Sequence, residues 1–450
     1  MISTRTAYRA AVLVIWSLAF LNAWACRGLF IDGSKLLFDI VQQEDWIVFR
    51  RPRLYMEMLR QTPLQIAIHA GMTDLHRLSQ ALSFSLVLPA TAFYHLALFR
   101  ARKEPVLLAA TIAVIAAVFM MTSFFIAGEY NATFAMTMAA AVWLATTDRL
   151  KAVEGAVLAL IAALFSRSYE VTLYHGPVLA LMTLWRVRTV DARPPLATIL
   201  YLLAAIFFVG GSVIAIQSLI DPYDPAYLQD TYNRAPDFWQ NPQFDVLFVA
   251  VLVVVAWALV RPAALLGRKP YVWASLPLAI LALSPLMALT DTTVFRPLAR
   301  AQFPARTVCG LVVIAVVFFV WLYSSRFHRL LRSLVLLRRA DVARRFLGFA
   351  CLMLAATLPA ELFLTATWVD YLSTLRATVR THTGVVAIED TPLAKRPANL
   401  FVENWIMPVQ SLIVRTKPGD AIVAPAREFK GWQPFAPEKP PDLKRYFWRD

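Results

Sequence analysis

The chain has 450 residues, of which 59% are hydrophobic and only 16% are charged, and its mean hydropathy is +0.58. Because soluble proteins carry roughly 25% charged residues, this composition predicts a polytopic membrane protein and excludes disordered, coiled-coil, fibrous and disulfide-scaffold classes. The net charge of +15 is expected to hold cytoplasmic loops against anionic lipid rather than to bind nucleic acid.

Eleven apolar runs are candidate membrane spans. Their approximate ranges are 10–26, 78–99, 105–127, 132–147, 152–166, 171–187, 196–220, 244–260, 271–290, 307–323 and 346–366. The short loops on one side of these runs carry 20 Lys and Arg residues, and those on the other side carry five. Since short cytoplasmic loops are enriched in Lys and Arg, we expect the N-terminus inside. An odd number of spans then places the C-terminus outside.

Two long segments lie on the predicted external side. The first, 27–77, has apolar residues at spacings of three and four, which predicts short amphipathic helices along the outer membrane surface. The second, 367–450, contains three apolar runs of strand length at 385–388, 412–414 and 422–423. We therefore expect an all-α membrane domain over 1–366 and a small external α/β domain over 367–450.

Ionisable residues are rare inside the predicted spans. His95 and His175 are single histidines near span ends, and we expect them to be hydrogen-bonded structural residues. The three cysteines have no metal-ligand spacing and are expected to serve in packing. Gly210-Gly211 is a possible helix break of the kind that transporters use.

Polar clusters instead gather at the predicted external span ends, which topology places on one face of the membrane. The clusters are Asp32, Glu129-Tyr130-Asn131, Arg167-Ser168-Tyr169-Glu170 and the segment 291–306. A carboxylate with arginines nearby can bind a sugar phosphate presented at this boundary. The alternative is that Glu and Arg residues cap helix ends and extend their charged groups to the membrane surface.

Asp32 is the leading catalytic candidate. It follows the apolar residues Leu29, Phe30 and Ile31, so partial desolvation can raise the basicity of its carboxylate. The alternative role is the N-cap of a following helix, which Asp favours. The reserve candidates are Asp39, Glu44 and Asp45.

The layout resembles the GT-C glycosyltransferases, which are integral membrane enzymes that take a sugar from a polyprenyl phosphate carrier. The resemblance rests on the early external loop, the acids of later external loops, about eleven spans, an external tail and the sequence Phe30-Ile31-Asp32-Gly33. The tail segments 384–390 and 404–412 look like those of bacterial arabinofuranosyltransferases. Many superfamily members carry two adjacent acids in the first loop, but residue 33 is Gly, so the need for a divalent cation (Mg or Mn) stays open.

The resemblance implies an inverting transfer from a polyprenyl-phosphate-linked sugar to a glycan, lipid or protein acceptor, on the periplasmic face of the cytoplasmic (inner) membrane. Asp32 would take the proton of the acceptor hydroxyl. Arginines would stabilise the departing phosphate; the candidates are Arg296, Arg300 and Arg306, with Arg167 next. Sugar hydroxyls would contact Glu129, Tyr130, Asn131, Tyr169 and Glu170. A glycan acceptor would stack on Trp405, Trp432 and Trp448 where these are exposed.

Two other classes of function remain open on the sequence alone. A transporter or flippase of lipid-linked sugars would need polar groups or a discontinuous helix near the midplane of the membrane. A membrane assembly protein would use the external tail for binding and its loop residues only as helix caps. Within the enzyme class, a polymerase or ligase of lipid-linked O-antigen is disfavoured because the large loop comes early in this chain.

Overall fold

The computed structural model describes residues 2–48, 51–122, 128–222, 225, 229, 233, 242–290, 299–325, 332–395, 398–426, 443 and 445–449. This part of the chain is almost entirely helical. Its α-helices are α1 (Thr4–Trp24), α2 (Asp32–Gln43), α3 (Leu54–His69), α4 (Leu75–Ala101), α5 (Pro105–Val114), α6 (Glu129–Ala145), α7 (Ala152–Phe165), α8 (Thr172–Thr189), α9 (Pro195–Ile220), α10 (Pro242–Val260), α11 (Lys269–Thr290), α12 (Ala299–Ser324), α13 (Arg332–Leu337), α14 (Ala340–Thr381) and α15 (Met407–Val414).

Each of the eleven predicted spans overlaps one of these helices. Within the described part of the chain, four helices are long and apolar enough to cross a membrane, namely α1, α4, α9 and α14. Further apolar stretches of 10 to 17 residues lie at 105–120, 152–165, 245–257 and 308–324. This is the architecture of a helical membrane protein. Eleven crossings stay a prediction, because a full crossing needs about 20 residues.

The glycine pair at residues 210 and 211 does not interrupt its helix, so the expected break was wrong. Helix α9 is continuous, and a Cβ atom on Gly211 would lie 3.0 Å from Cα of Ser166. The hydroxyl of Thr172 donates to the carbonyl of Gly211 at 3.1 Å. Gly211 therefore serves close packing against the turn that precedes α8. The irregular element is a π-helical turn, Ile115–Met120, which continues α5.

The described residues form two hydrophobic cores. The larger core lies within the helical bundle and includes α5, α6, α9 and the first half of α14. The smaller core joins the first external segment to the end of the chain, with contributions from Leu37, Leu64, Trp368, Phe401 and Ile413. The tail and the first external segment therefore bury their apolar side chains against each other.

The two helices of the first external segment present opposite kinds of surface. In α2 the apolar residues Leu37 and Ile40 are buried against the protein, and Lys35 is exposed. In α3 polar residues face the protein alongside the buried Met56, Leu64 and Ile68. The buried polar set of α3 and its N-cap is Arg53, Glu57, Arg60, Gln61 and Gln65, and the exposed apolar set is Tyr55, Met58, Leu59 and Ile66.

The tail is built around the extension of α14, which ends at Thr381, 15 residues beyond the predicted span. Strands β1 (Val385–Ala387) and β2 (Ile422–Ala424) form a parallel two-stranded sheet, in which Val386 pairs with Val423. The third predicted strand was wrong, because residues 412–414 belong to α15. Short buried apolar runs have the same composition in strands and in helices. The proline at the first turn of α15 favours the helix.

Candidate functional site

A cluster of arginines and carboxylates joins the first external segment to two short loops of the bundle. Arg53 binds both carboxylate oxygens of Glu170, with Nε donating to Oε1 and Nη2 donating to Oε2, each at 2.9 Å. Arg60 Nη2 donates to Glu129 Oε1 at 2.6 Å. Nη1 of Arg53 lies 3.9 Å from Oε2 of Glu129. Arg53 therefore lies between two carboxylates that are 41 residues apart in the chain.

Aromatic rings support this cluster. The guanidinium of Arg53 lies 4.5 Å from the ring centroid of Tyr169, a cation–π contact. The rings of Tyr169 and Tyr130 are 5.9 Å apart. The hydroxyl of Tyr130 donates to the carbonyl of Thr122, and the hydroxyl of Thr122 donates to Oδ1 of Asn131. Tyr130 and Asn131 are buried, so in this arrangement they join the start of α6 to Thr122, two residues beyond the π-helical turn.

The loop between α7 and α8 is held in place by its neighbours on both sides. The hydroxyl of Thr133 donates to Ser168 Oγ at 2.9 Å, and the carbonyl of Arg167 accepts from the amide of Tyr55 at 3.2 Å. The guanidinium of Arg167 lies 5.9 Å from the ring centroid of Tyr55. Of the predicted binding residues, this assembly brings together Glu129, Tyr130, Asn131, Arg167, Tyr169 and Glu170.

Sequence reasoning missed the arginines that complete the cluster. Arg53, Glu57 and Arg60 are spaced four and three residues apart, which places them on one face of α3. All three side chains are buried. The sequence feature that could have identified them is this spacing of charged residues on one helical face, next to the apolar residues of α3. In an amphipathic helix on the membrane surface, as the sequence predicts, such a polar face would meet water.

Asp32 is the first residue of α2 and lies on a tightly constrained backbone. Its predecessor Ile31, the N-cap, has φ 49° and ψ −118°, a conformation that a β-branched residue rarely adopts and that costs about 1–3 kcal/mol. A Cβ atom on Gly33 would lie 1.6 Å from the carbonyl oxygen of Gly28, so only glycine fits there. The ring of Phe30 packs edge-on against Trp368 at 5.8 Å. Strain of this kind collects at functional sites.

The apolar residues that precede Asp32, which were expected to desolvate its carboxylate in part, do not cover its side chain. Leu29, Phe30 and Ile31 are buried in the smaller core, whereas Asp32 is exposed on the protein surface. Their side chains turn inward because the tail supplies the apolar surface that covers them. The N-cap is Ile31 rather than Asp32, although a carboxylate in the first turn still interacts favourably with the helix dipole.

A second buried ion pair fixes the segment that leads to Asp32. Nη1 of Arg27 donates to Glu361 at 3.0 Å and to the hydroxyl of Thr365 at 3.1 Å. Burial lowers the pKa of Arg27, and the carboxylate of Glu361 opposes that shift. The indole of Trp368 donates to the carbonyl of Ala25 at 2.9 Å. Glu361 lies inside the last predicted span and was not singled out from the sequence.

The three reserve acids have other contacts. Asp39 is buried and forms an ion pair with Lys35. Glu44 accepts from the hydroxyl of Tyr446 at 3.0 Å, which links α2 to the end of the chain. Asp45 is exposed and accepts from the next backbone amide.

The remaining candidates divide between described and undescribed residues. Arg296 and Trp432 lie outside the described residues, and only the backbone of Arg300 and Arg306 is described, as part of α12. Trp405 is 43% exposed, whereas Trp448 is buried and stacks on His76. Trp448 therefore cannot present its ring face to a glycan, because the ring is covered by the protein itself.

Both histidines of the bundle have hydrogen-bond partners, as predicted. His95 lies 3.2 Å from the indole nitrogen of Trp16. His175 lies 3.0 Å from both the hydroxyl of Thr137 and the carbonyl of Gly310.

Among the described residues, no group of three or more His, Cys, Asp or Glu side chains is arranged to hold a metal ion. Of the cysteines, Cys26 and Cys309 are buried and Cys351 is partly buried, in keeping with roles in packing.

Comparisons of the chain with protein-family models, curated proteins and solved structures gave no match.

Proposed function

We propose that the protein is an inverting glycosyltransferase that moves a sugar from a polyprenyl-phosphate donor to a glycan, lipid or protein acceptor at the outer face of the cytoplasmic membrane. The observation that carries the proposal is the cluster of Arg53, Arg60, Glu129 and Glu170 with Tyr169. Charged and aromatic side chains from distant parts of the chain converge at the end of an apolar bundle. A sugar phosphate at a membrane boundary needs both kinds of contact.

The orientation of the helices is part of this proposal: eleven crossings, with the N-terminus inside. Polar contacts between loops support it, because they link residues predicted on the same side. On the predicted inner side, Arg100 pairs with Glu154 at 3.2 Å, and Arg186 donates to the last carbonyls of α6. On the predicted outer side, Arg53 joins Glu129 to Glu170.

The orientation of α3, with polar residues toward the protein and apolar residues outward, is also in keeping with the proposal. Its buried polar face binds the carboxylates of the bundle, while Tyr55, Met58, Leu59 and Ile66 point outward. An apolar stripe that faces away from the protein is stable when it contacts lipid. A helix in this position would lie where the polyprenyl chain of a donor leaves the bilayer.

In the proposed reaction, the acceptor oxygen attacks the anomeric carbon from the side opposite the phosphate. The new carbon–oxygen bond forms as the bond to the phosphate oxygen breaks, so polyprenyl phosphate leaves with the electron pair and the anomeric configuration inverts. Asp32 takes the hydroxyl proton. Because Asp32 is exposed on the protein surface, the desolvation that raises its basicity has to come from bound substrate and lipid.

The arginines and the paired glutamates have separate tasks in this scheme. Arg167, with Arg296, Arg300 and Arg306, would face the phosphate, whose negative charge grows as the bond breaks. Glu129 and Glu170 would accept hydrogen bonds from sugar hydroxyls through lone pairs that Arg53 and Arg60 do not occupy, since a carboxylate has about four acceptor positions.

The test is the Asp32→Asn variant, assayed in lipid nanodiscs against a panel of polyprenyl-phosphate sugars that includes an arabinofuranosyl donor. Release of free polyprenyl phosphate is measured. Removing a general base typically costs 10²–10⁴-fold, so we expect a loss of about that size with normal expression. The matched control is Asp370→Asn, which removes an exposed carboxylate from the outer part of α14. The proposal fails if Asp32→Asn keeps wild-type turnover or if no donor in the panel is consumed.

A further inference from the structure

The loop between Phe401 and Met407 presents an exposed tryptophan at the base of the tail. Trp405 is 43% exposed, whereas the two residues that bracket the loop, Phe401 and Met407, are fully buried. The backbone amides of Ile406 and Met407 both donate to the carbonyl of Glu403, which closes the loop into a turn. The exposed ring is therefore carried by a compact turn that is fastened to the protein at both ends.

Contacts of these two bracketing residues fix the height of the turn along α14. The ring of Phe401 packs against the ring of Trp368 at 5.3 Å, and the hydroxyl of Tyr371 donates to the sulfur of Met407 at 2.8 Å. Trp368 and Tyr371 lie beyond residue 366, the predicted end of the last span, by about 3 and 8 Å along the helix. The turn that carries Trp405 begins and ends at these two heights.

The outer end of α1 gives the same height independently. The indole of Trp368 donates to the carbonyl of Ala25 at 2.9 Å, and Ala25 lies next to residue 26, the predicted end of the first span. Helix α1 ends at Trp24, which is 62% exposed, and Phe20, one turn earlier on this apolar helix, is 60% exposed. Two spans that were predicted separately therefore end near the height of Trp368, and α1 also has an exposed tryptophan there.

This height corresponds to the boundary layer between hydrocarbon and water. The headgroup region extends about 5–8 Å beyond the hydrocarbon core, and the turn lies at heights of about 3 to 8 Å. Trp is enriched in this layer because the body of its ring is apolar and its N–H is polar. Phospholipid is always present there, whereas a glycan acceptor has to reach the ring through the headgroup layer. The exposed ring of Trp405 therefore fits phospholipid as its partner.

We propose that Trp405 enters the headgroup layer and anchors the base of the tail on the membrane surface, with phospholipid as its partner. The body of the ring contacts the outermost acyl carbons, and the indole N–H donates to an oxygen of the headgroup region. The far end of the tail stays in water. Lys417 lies at that end, because it lines a cavity together with Arg380, which is about 21 Å along α14 from the predicted end of the last span. The proposal concerns membrane contact and is independent of sugar transfer.

The test is electron paramagnetic resonance of the full-length protein in phosphatidylcholine nanodiscs, with a nitroxide label on the Trp405→Cys variant. Collisions of the label with oxygen, which concentrates in lipid, are compared with its collisions with a neutral nickel chelate, which stays in water. Two variants provide reference values, namely Phe20→Cys on the exposed side of α1 for lipid and Lys417→Cys for water. Each variant also carries Cys351→Ala, because Cys351 is only partly buried and could react with the label. We expect the oxygen-to-nickel ratio at position 405 to lie between the ratios at positions 20 and 417.

Two results would overturn the proposal. The first is an oxygen-to-nickel ratio at position 405 equal to that at position 417, which would place the ring in water and leave it open to a glycan acceptor. The second is a label at position 405 that collides with neither reagent, which would show that protein covers it instead of lipid. Trp405 is exposed and belongs to neither hydrophobic core, so its substitution should leave the fold intact. Because the readout does not involve turnover, failure of the proposed transfer reaction would not affect the outcome.

Discussion

The ion pair between Arg60 and Glu129 offers the sharpest test of the site, because both charges are buried and their separation is only 2.6 Å. The Glu129→Gln variant keeps the shape of the side chain but removes the negative charge that lies 2.6 Å from the buried guanidinium of Arg60. Breaking a buried pair on one side typically costs about 3–5 kcal/mol. We expect a loss of that order in the free energy of unfolding.

The double variant R60Q/E129Q distinguishes the effect of breaking the ion pair from the effect of removing a carboxylate. Two neutral amides of similar shape bury no net charge and can hydrogen-bond to each other, so replacing both charged groups costs far less than replacing one. The double variant should therefore be more stable than Glu129→Gln alone. The coupling energy from the double-mutant cycle of the wild type, R60Q, E129Q and R60Q/E129Q should exceed about 1.5 kcal/mol. This is larger than the deviation from additivity that is found for independent sites.

The assay is unfolding of purified protein in mixed micelles with increasing SDS, followed by far-ultraviolet circular dichroism. The matched control is Asp341→Asn, which removes a carboxylate from the exposed pair with Arg339, where the N–O separation is 3.2 Å. This variant should unfold at the wild-type midpoint, since exposed pairs contribute little. The reasoning is refuted if Glu129→Gln matches this control, or if the effects of R60Q and E129Q simply add.

Three further predictions concern other parts of the protein. Gly33→Ala forces a methyl group to within 1.6 Å of the Gly28 carbonyl oxygen, so we expect lower stability and lost transfer; a normally active variant would contradict this. Gln410→Leu breaks hydrogen bonds that join α15 to α14 and to the first external segment, and should cost about 1–3 kcal/mol in SDS unfolding, whereas the exposed Gln42→Leu should cost little. An environment-sensitive dye attached to the new cysteine of the Ile66→Cys variant should report contact with lipid in nanodiscs. The same dye on the Gln42→Cys variant should report contact with water. Equal emission from the two sites would show that the apolar stripe of α3 does not face lipid.

The sequence was most informative where one physical effect dominates. Long apolar runs identify helices, and each of the eleven predicted ranges overlaps a helix of the structure. The sequence predicts Glu129 and Glu170 on one face of the bundle, because each stands in or next to a short loop between spans, and the structure joins both to Arg53. Such loops leave their side chains little freedom to move away from the ends of the helices.

The sequence was least informative where two faces compete for burial. In α3 the spacing of apolar residues predicts an amphipathic helix, but it does not say which face meets the protein. The carboxylates of Glu129 and Glu170 decide this, because they attract Arg53 and Arg60 inward. Glu361 was overlooked for a related reason, since its partner Arg27 is 334 residues away in the chain.

The tail and the first external segment have to be considered together, because the backbone that precedes Asp32 is fastened by groups from the other end of the chain. Trp368 donates to the carbonyl of Ala25, Glu361 accepts from Arg27, and the amide of Gln410 donates to the carbonyl of Leu29 at 2.9 Å. These three contacts come within seven residues of Asp32. These contacts would fix the position of Asp32, the proposed base, on the protein surface. A fixed position matters because displacement of a catalytic group by about 1 Å can cost 10²-fold in rate. The tail would therefore contribute to transfer by holding Asp32 in place, even though no tail residue is assigned to the reaction itself.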